Sequence, residues 1–219
     1  MQTHRNVEVE NIMTKSIAII SAGLSQPSST RLLADRLGQA STQALRAAGG
    51  GDAAITVVEL RDLAHEITDA MLTGFAAGEL RSAIETVTNA DAIIAVTPIF
   101  SSSYSGLFKS FFDILEPRSL AGIPVLIAAT GGTARHSLAL EYAVRPLFAY
   151  LQSVIVPTSV FAASEDWGGA GGTDGDLAAR ITRAGAELAD ILDGRSGTRR
   201  VEESVIPFAQ QLAKLAVSA

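Results

Sequence analysis

Apolar residues are distributed along the chain in two alternating rhythms. Continuous runs such as Ala92-Ile93-Ile94-Ala95-Val96, together with Ser16–Ser21 and Ile123–Ala129, show no polar alternation. That is the mark of strands covered on both faces of a sheet. Between these runs apolar positions return at helical spacing, as in Leu33, Leu37, Ala40 and Ala44. The pattern predicts strands over 16–21, 54–60, 91–97, 122–129 and 153–162, and helices over 29–47, 78–88, 104–114, 136–151 and 175–193. Regular alternation of the two means a doubly wound α/β domain, with a parallel five-stranded sheet and helices on both faces.

Three strand ends carry the candidate chemistry. After the first strand, Ser25, Ser28, Ser29 and Thr30 place four hydroxyls in six residues just before a helix. Unpaired backbone N–H groups and the helix dipole make such a terminus an anion site, although Ser28 or Ser29 also serves as an ordinary N-cap with no ligand. After the third strand comes Thr97-Pro98-Ile99-Phe100-Ser101. Pro98 lacks an N–H and is predicted to stop the strand, leaving Ile99 and Phe100 either as last core residues or as an apolar surface beyond the sheet edge. After the fourth strand, Thr130-Gly131-Gly132 leads towards His136. The glycine pair allows either a tight strand-to-helix turn or close backbone approach to a flat ring or phosphate. His136 either touches a ligand there or merely packs.

Composition narrows the classes. The 219 residues suit one core, with about 180 of them ordered, a leading segment 1–14, a domain over 15–195 and a tail over 196–219. In the tail, Val205, Ile206, Phe208, Leu212 and Leu215 recur at near-helical spacing, as on a helix packed against a partner subunit or a frayed one. Cysteine is absent, which excludes disulfides, thiolate catalysis and cysteine-ligated metal. The three histidines, His4, His65 and His136, are too scattered to predict a metal cluster. A net charge of −6 argues against a nucleic-acid surface. There is no signal-peptide pattern and no long apolar run, so a cytoplasmic protein with no membrane contact is expected. Walker A, G-x-G-x-x-G and G-x-S-x-G patterns are missing. Arg31, Lys109, Arg118 and Arg135 lie near the three loops as candidates to offset an anionic ligand. The glycine-rich run Gly168–Gly172 reads as a loop that either simply connects or also gates entry to the site.

The stretch from Thr97 to Asp113, written T-P-[apolar]-[aromatic]-x-x-x-Y-S-G-x-x-K-x-x-x-D, resembles the flavin-ring loop of the flavodoxin-like NAD(P)H-dependent FMN reductases. The run from Ala128 to Pro146, with A-T-G-G-T, a following His and then Y-A-x-R-P, is most similar to the alkanesulfonate-type reductases of two-component monooxygenase systems. This resemblance implies strand order 2-1-3-4-5, which brings the ends of strands one, three and four to one crevice at the topological switch point. It implies FMN as a substrate or loosely bound cofactor, NADPH in preference to NADH, hydride transfer from nicotinamide to flavin N5, and no catalytic acid, base or nucleophile.

By the same resemblance, Ser25, Gln26, Ser28 and Thr30 meet the phosphate, and Pro98, Ile99, Phe100 and Ser101 lie along the ring. Thr130, Gly131, Gly132 and His136 complete the site, with backbone N–H groups towards the flavin O2/N1 edge. Gly23 and Gln26 depart from the family's usual Ser and basic residue. Tyr142 is implied at a subunit interface near the site, tied to flavin release, while its surroundings of Leu138, Val144 and Tyr150 also fit a buried tyrosine of an amphipathic helix. A homodimer or homotetramer and a flavin-dependent monooxygenase receiving reduced FMN are the implied partners. The alternatives are a bound-FMN reductase of quinones, azo dyes or metal oxyanions, and a non-catalytic flavin-binding or electron-transfer module.

Overall fold

The computed structural model describes residues 14–167 and 174–194. The segment before Thr14, the glycine-rich run after Trp167 and the tail lie outside the described residues.

Strand β1 (Lys15–Ser21) sits between β2 (Ala53–Glu59) and β3 (Ala92–Phe100), and β5 (Pro124–Gly131) lies on the far side of β3, all parallel. The expected fifth strand is two short ones, β6 (Val154–Ile155) and β7 (Val160–Ala163), both paired with β5. Pro157 between them has no N–H for the ladder. The adjoining Thr158 turns out of the sheet, giving its N–H and its hydroxyl to Glu187, each at 2.7 Å. With β6 and β7 counted as one and the short hairpin strand that pairs back on β3 set aside, the five parallel strands follow the predicted flavodoxin-like order 2-1-3-4-5.

Alternation along the strands divides the interior in two. Ile17 and Ile19, with Ile94, Val96 and Leu126, face α1 (Ser29–Ala47) and α6 (Asp174–Leu192). Ala18 and Ile20, with Ile93 and Ala95, face the opposite layer. That layer holds α2 (Ala64–Thr73), α3 (Gly78–Thr88), α4 (Gly106–Asp113) and α5 (Arg145–Tyr150). Helices α1 and α6 touch backbone to backbone: a β-carbon on Gly185 would lie 2.8 Å from the carbonyl carbon of Ala40. In the other layer α4 buries Phe108, Phe111 and Phe112, and Phe108 and Phe112 meet Phe148 of α5 edge-on.

Besides the divided fifth strand, the structure corrects three sequence expectations. Pro98 does not stop β3, which continues to Phe100 with Pro98 in register with Thr130. The carbonyl of Val96 accepts from Ala22 N on the β1 side, and Pro98, two residues on, faces that same side where β1 has already ended. The missing N–H therefore has no ladder partner to lose. Ser103–Tyr104 is a short strand, β4, and α4 begins after it, with Ser105 as N-cap accepting from Phe108 N at 3.1 Å.

The predicted helix over 136–151 is the third correction. It is a 3-10 turn (Ala134–His136), a π turn (Leu140–Val144) and the short α5. Pro146 at the start of α5 cannot donate to the carbonyl four residues back and crowds it. Widening the preceding turn relieves the conflict, and Arg145 N donates to Leu140 O, five residues back. The unassigned connection after β2 contains a 3-10 turn (Leu60–Leu63) followed by α2.

Candidate functional site

The crevice lies where the ends of β1, β3 and β5 diverge, and has a volume of about 340 Å³. Its first wall is the loop after β1. Ser28 caps α1, its hydroxyl accepting from Arg31 N at 3.2 Å. This leaves Ser29 and Thr30 in the first turn of α1, beside Ser25 and Leu24, on the crevice. The Gln26–Pro27 bond within this loop is cis.

The second wall is a hairpin. Ile99 pairs with Tyr104 and Phe100 with Ser103, so Ser101 and Ser102 form a two-residue turn, both at positive φ (48° and 67°). A pair of left-handed residues is the geometry that suits the twist of a tight hairpin, and here serines adopt it. Thr97 braces its base: the buried hydroxyl donates to Pro98 O at 3.0 Å and accepts from Ser105 N at 3.1 Å. The hairpin holds Phe100 out from the core, 48% exposed, along the crevice with Pro98 and Ile99.

The third wall is the end of β5. The hydroxyls of Thr130 and Thr30 lie 2.8 Å apart, both buried, and join the first wall to the third. A β-carbon on Gly131 would meet the Phe161 ring at 2.7 Å, so that residue must be bare for β7 to pack. Gly132 has nothing within 4 Å of the same position and opens onto the crevice.

The structure thus brings Ser25, Thr30, Pro98, Ile99, Phe100, Thr130, Gly131 and Gly132 together. Gln26 and Ser28 line a neighbouring depression of about 450 Å³ with Arg31 and Arg61. Ser101 sits at the hairpin tip, and His136 is exposed in the 3-10 turn beyond Gly132. Tyr142 is 79% exposed, which removes the buried alternative. It lies on the π turn and lines a separate groove of about 840 Å³ with Tyr104 and Tyr150.

Sequence reasoning counted Ser29 among the hydroxyls at the start of α1 without giving it a place on the ring site, and missed Ser164 and Trp167 on the crevice. Trp167, the chain's one tryptophan, is carried there by a 3-10 turn (Ser164–Trp167) that buried Asp166 fastens by accepting from Ala163 N at 2.8 Å. The Arg36 guanidinium stacks over its ring at 5.2 Å from the centroid. A lone tryptophan directly before a glycine run was the available signal.

Among the described residues, no charged side chain lines the crevice. Of the cations proposed to offset an anion, Arg31 is bound by Glu59 at 2.7 Å and Asp35 at 2.8 Å, and these two carboxylates raise its pKa further. Lys109 pairs with Asp113, and both line the tyrosine groove with Arg118. Arg135 is exposed in the 3-10 turn beyond Gly132.

A flat apolar wall, an unobstructed glycine backbone opposite it and a hydroxyl-rich helix start at one end suit a planar ring bearing an anionic tail. The sequence pattern of NADPH-dependent FMN reductases matches residues 16–168, and the chain belongs to that family. It is accordingly an oxidoreductase that uses FMN and a nicotinamide nucleotide. Among its relatives, the FMN reductase (NADPH) of Pseudomonas aeruginosa is 35% identical over 182 residues, covering 82% of this chain and 94% of the relative. The NADH-dependent FMN reductase SfnF of Pseudomonas fluorescens is 36% identical over 180 residues, covering 81% and 91%. A solved structure of an oxidoreductase from Corynebacterium diphtheriae superposes with a TM-score of 0.78 at 45% identity, covering 84% of this chain and 99% of that one.

Proposed function

We propose that this enzyme reduces FMN as a substrate and releases it, reduced, to a flavin-dependent monooxygenase in the cytoplasm. The observation that carries the reading is a crevice wall built, among the described residues, from hydroxyls, glycines and apolar side chains with no charged one. A dianionic phosphate met inside the crevice by hydroxyls, backbone N–H groups and a helix dipole, with any cation acting from outside the wall, is held less firmly than one with a guanidinium in direct contact.

In this reading Ser25 and Thr30 donate hydroxyl protons to the phosphate. Ser28 uses a lone pair as the α1 cap and keeps its own O–H for the same purpose. Gln26 stands at the loop's outer side. Pro98, Ile99 and Phe100 exclude water from one ring face, with Ser101 shaping the hairpin that presents them. Backbone N–H groups of Gly131 and Gly132, with Thr130 and His136 alongside, orient the other end of the ring. When bound, FMN supplies the chemistry by accepting hydride at N5 from the nicotinamide C4, and the chain's task is alignment. The relatives' names divide between NADPH and NADH, and NADPH is the preference proposed here.

Exposed Tyr142 belongs to a subunit interface of a homodimer or homotetramer in this reading. Leu138 and Tyr150, also exposed, lie four residues before and eight after it on the same segment and extend its apolar stripe. The test is steady-state oxidation of NADPH and NADH by flavin-stripped protein with FMN titrated in, in air, and with a quinone added in parallel. Saturable oxidation that depends on added FMN without quinone supports release of reduced flavin. Protein that stays yellow and turns over only with the quinone overturns it.

A further inference from the structure

We infer that Arg61 is the cation that distinguishes FMN from flavins without a phosphate, acting from the neighbouring strand end rather than from the phosphate loop. The inference rests on the reading that the loop between β1 and α1 receives the phosphate.

The loop itself, from Ala22 to Ser28, has no basic residue, and Arg31 lies just beyond it in α1. Arg31 cannot fill the gap, because Glu59 and Asp35 set two carboxylates against its one charge. Arg61 is placed differently. Ser21 and Glu59 are register partners at the ends of β1 and β2, so the residues just after each strand emerge side by side. The turn of Leu60–Leu63 lays the Arg61 guanidinium against the loop, where Nη1 donates to Leu24 O at 3.3 Å.

Leu24 and Ser25 form the crevice wall, and Ser25 also borders the depression that Arg61 lines. Among the described residues the carboxylate paired with Arg61 is Asp62, 3.5 Å from Nε and itself largely exposed, while Glu59 and Asp35 of the same depression are taken by Arg31. Such a pair is weak, and a guanidinium carries five N–H donors, so most of Arg61's capacity is uncommitted. It is a guanidinium in contact with the phosphate loop whose charge is not already cancelled.

FMN and riboflavin differ only by the phosphate, so their ratio of dissociation constants, read by flavin fluorescence quenching on stripped protein, isolates this effect. Arg61→Met is expected to weaken FMN about tenfold and riboflavin no more than about twofold. Arg61→Lys keeps the charge and is expected to hold the FMN preference within about threefold of wild type. Raising salt should lower the wild-type preference and leave that of Arg61→Met nearly flat.

Equal weakening of both flavins by Arg61→Met would assign Arg61 to bracing the Leu24 carbonyl alone and overturn the inference. A Ser25→Ala/Thr30→Val variant separates the two levels. If it lowers the FMN preference while Arg61→Met does not, the loop reading stands and the Arg61 inference falls. If wild type does not prefer FMN, or neither variant moves the preference, the loop reading falls and takes the inference with it.

Discussion

Helix α1 and the segment from Ala134 to Tyr150 both follow a strand that ends at the crevice, yet they are built in opposite ways. Helix α1 runs 19 residues without interruption, capped by Ser28 and buried along Leu33, Leu37 and Leu45. The other segment changes from 3-10 to π to α within 17 residues and leaves Leu138, Tyr142 and Tyr150 in the open. One is fixed by its fit to the sheet and to α6. The other leaves apolar side chains exposed, and its widened turn, the local adjustment to Pro146, carries the exposed Tyr142. Regular helix stands at the proposed phosphate end of the crevice, and irregular helix stands where apolar side chains are left on the surface.

The largest test of that contrast is Gly185→Ala. Its new methyl would sit 2.9 Å from Ser41 N as well as on Ala40, where backbone cannot give way. Overpacking of this kind should cost about 3 kcal/mol, read by urea unfolding, whereas an α1 that simply slides would show almost none. Next is Thr130→Val, which strands the buried Thr30 hydroxyl and should cost about 1–2 kcal/mol, while Thr30→Val/Thr130→Val together approach wild-type stability because no orphan group remains. A double-mutant cycle measures the difference, and strict additivity would refute the pairing.

A smaller effect lies in the irregular segment. The Arg145 guanidinium holds the Glu141 carboxyl below its ordinary value of 4.5, against an opposing push from burial, with help from the Ser159 hydroxyl. Arg145 and Ser159 thereby tie the π turn to the break between β6 and β7. Because the folded pKa is depressed, this stabilisation is complete above about pH 4.5 and lost as pH falls through the lower folded value. The pair is partly exposed, so wild type should exceed Glu141→Gln by less than about 1 kcal/mol at pH 7. The gap should close in acid, and unfolding midpoints at pH 7 and pH 3 check it.

The smallest effect on stability belongs to Tyr142→Ala, within about 0.5 kcal/mol for an exposed side chain. The same variant should retain FMN more tightly and deliver less of it. Unchanged retention and turnover would detach Tyr142 from flavin release.

The alternating units and the α1 cap were legible because each depends on local pattern: continuous apolar runs for the strands, and hydroxyls before a periodic apolar stripe for the helix. Eight of the residues proposed for the flavin line one crevice because strand order alone brings their loops together. What stayed hidden depends on partners distant in sequence. Pro98 is tolerated in β3 only because β1 ends beside it. Ser101-Ser102 is not a dipeptide that announces a tight hairpin, and Thr97 closes that hairpin from eight residues before Ser105. The break between β6 and β7 depends on Glu187 reaching Thr158, and Trp167 reaches the crevice through a turn fastened by Asp166.

The bond between Thr30 and Thr130 has a consequence for proton order. Each hydroxyl owns one proton, and only one of the two can lie between the oxygens. If a phosphate draws the Thr30 proton outward, the Thr130 proton must fill the shared position, and Thr130 then faces the rest of the crevice as an acceptor only. Without an anion, either orientation is open, and Thr130 can turn its proton towards the ring side. Occupancy of one end of the crevice is thus written into the polarity of the other by the rotation of two hydroxyls, with no movement of the backbone.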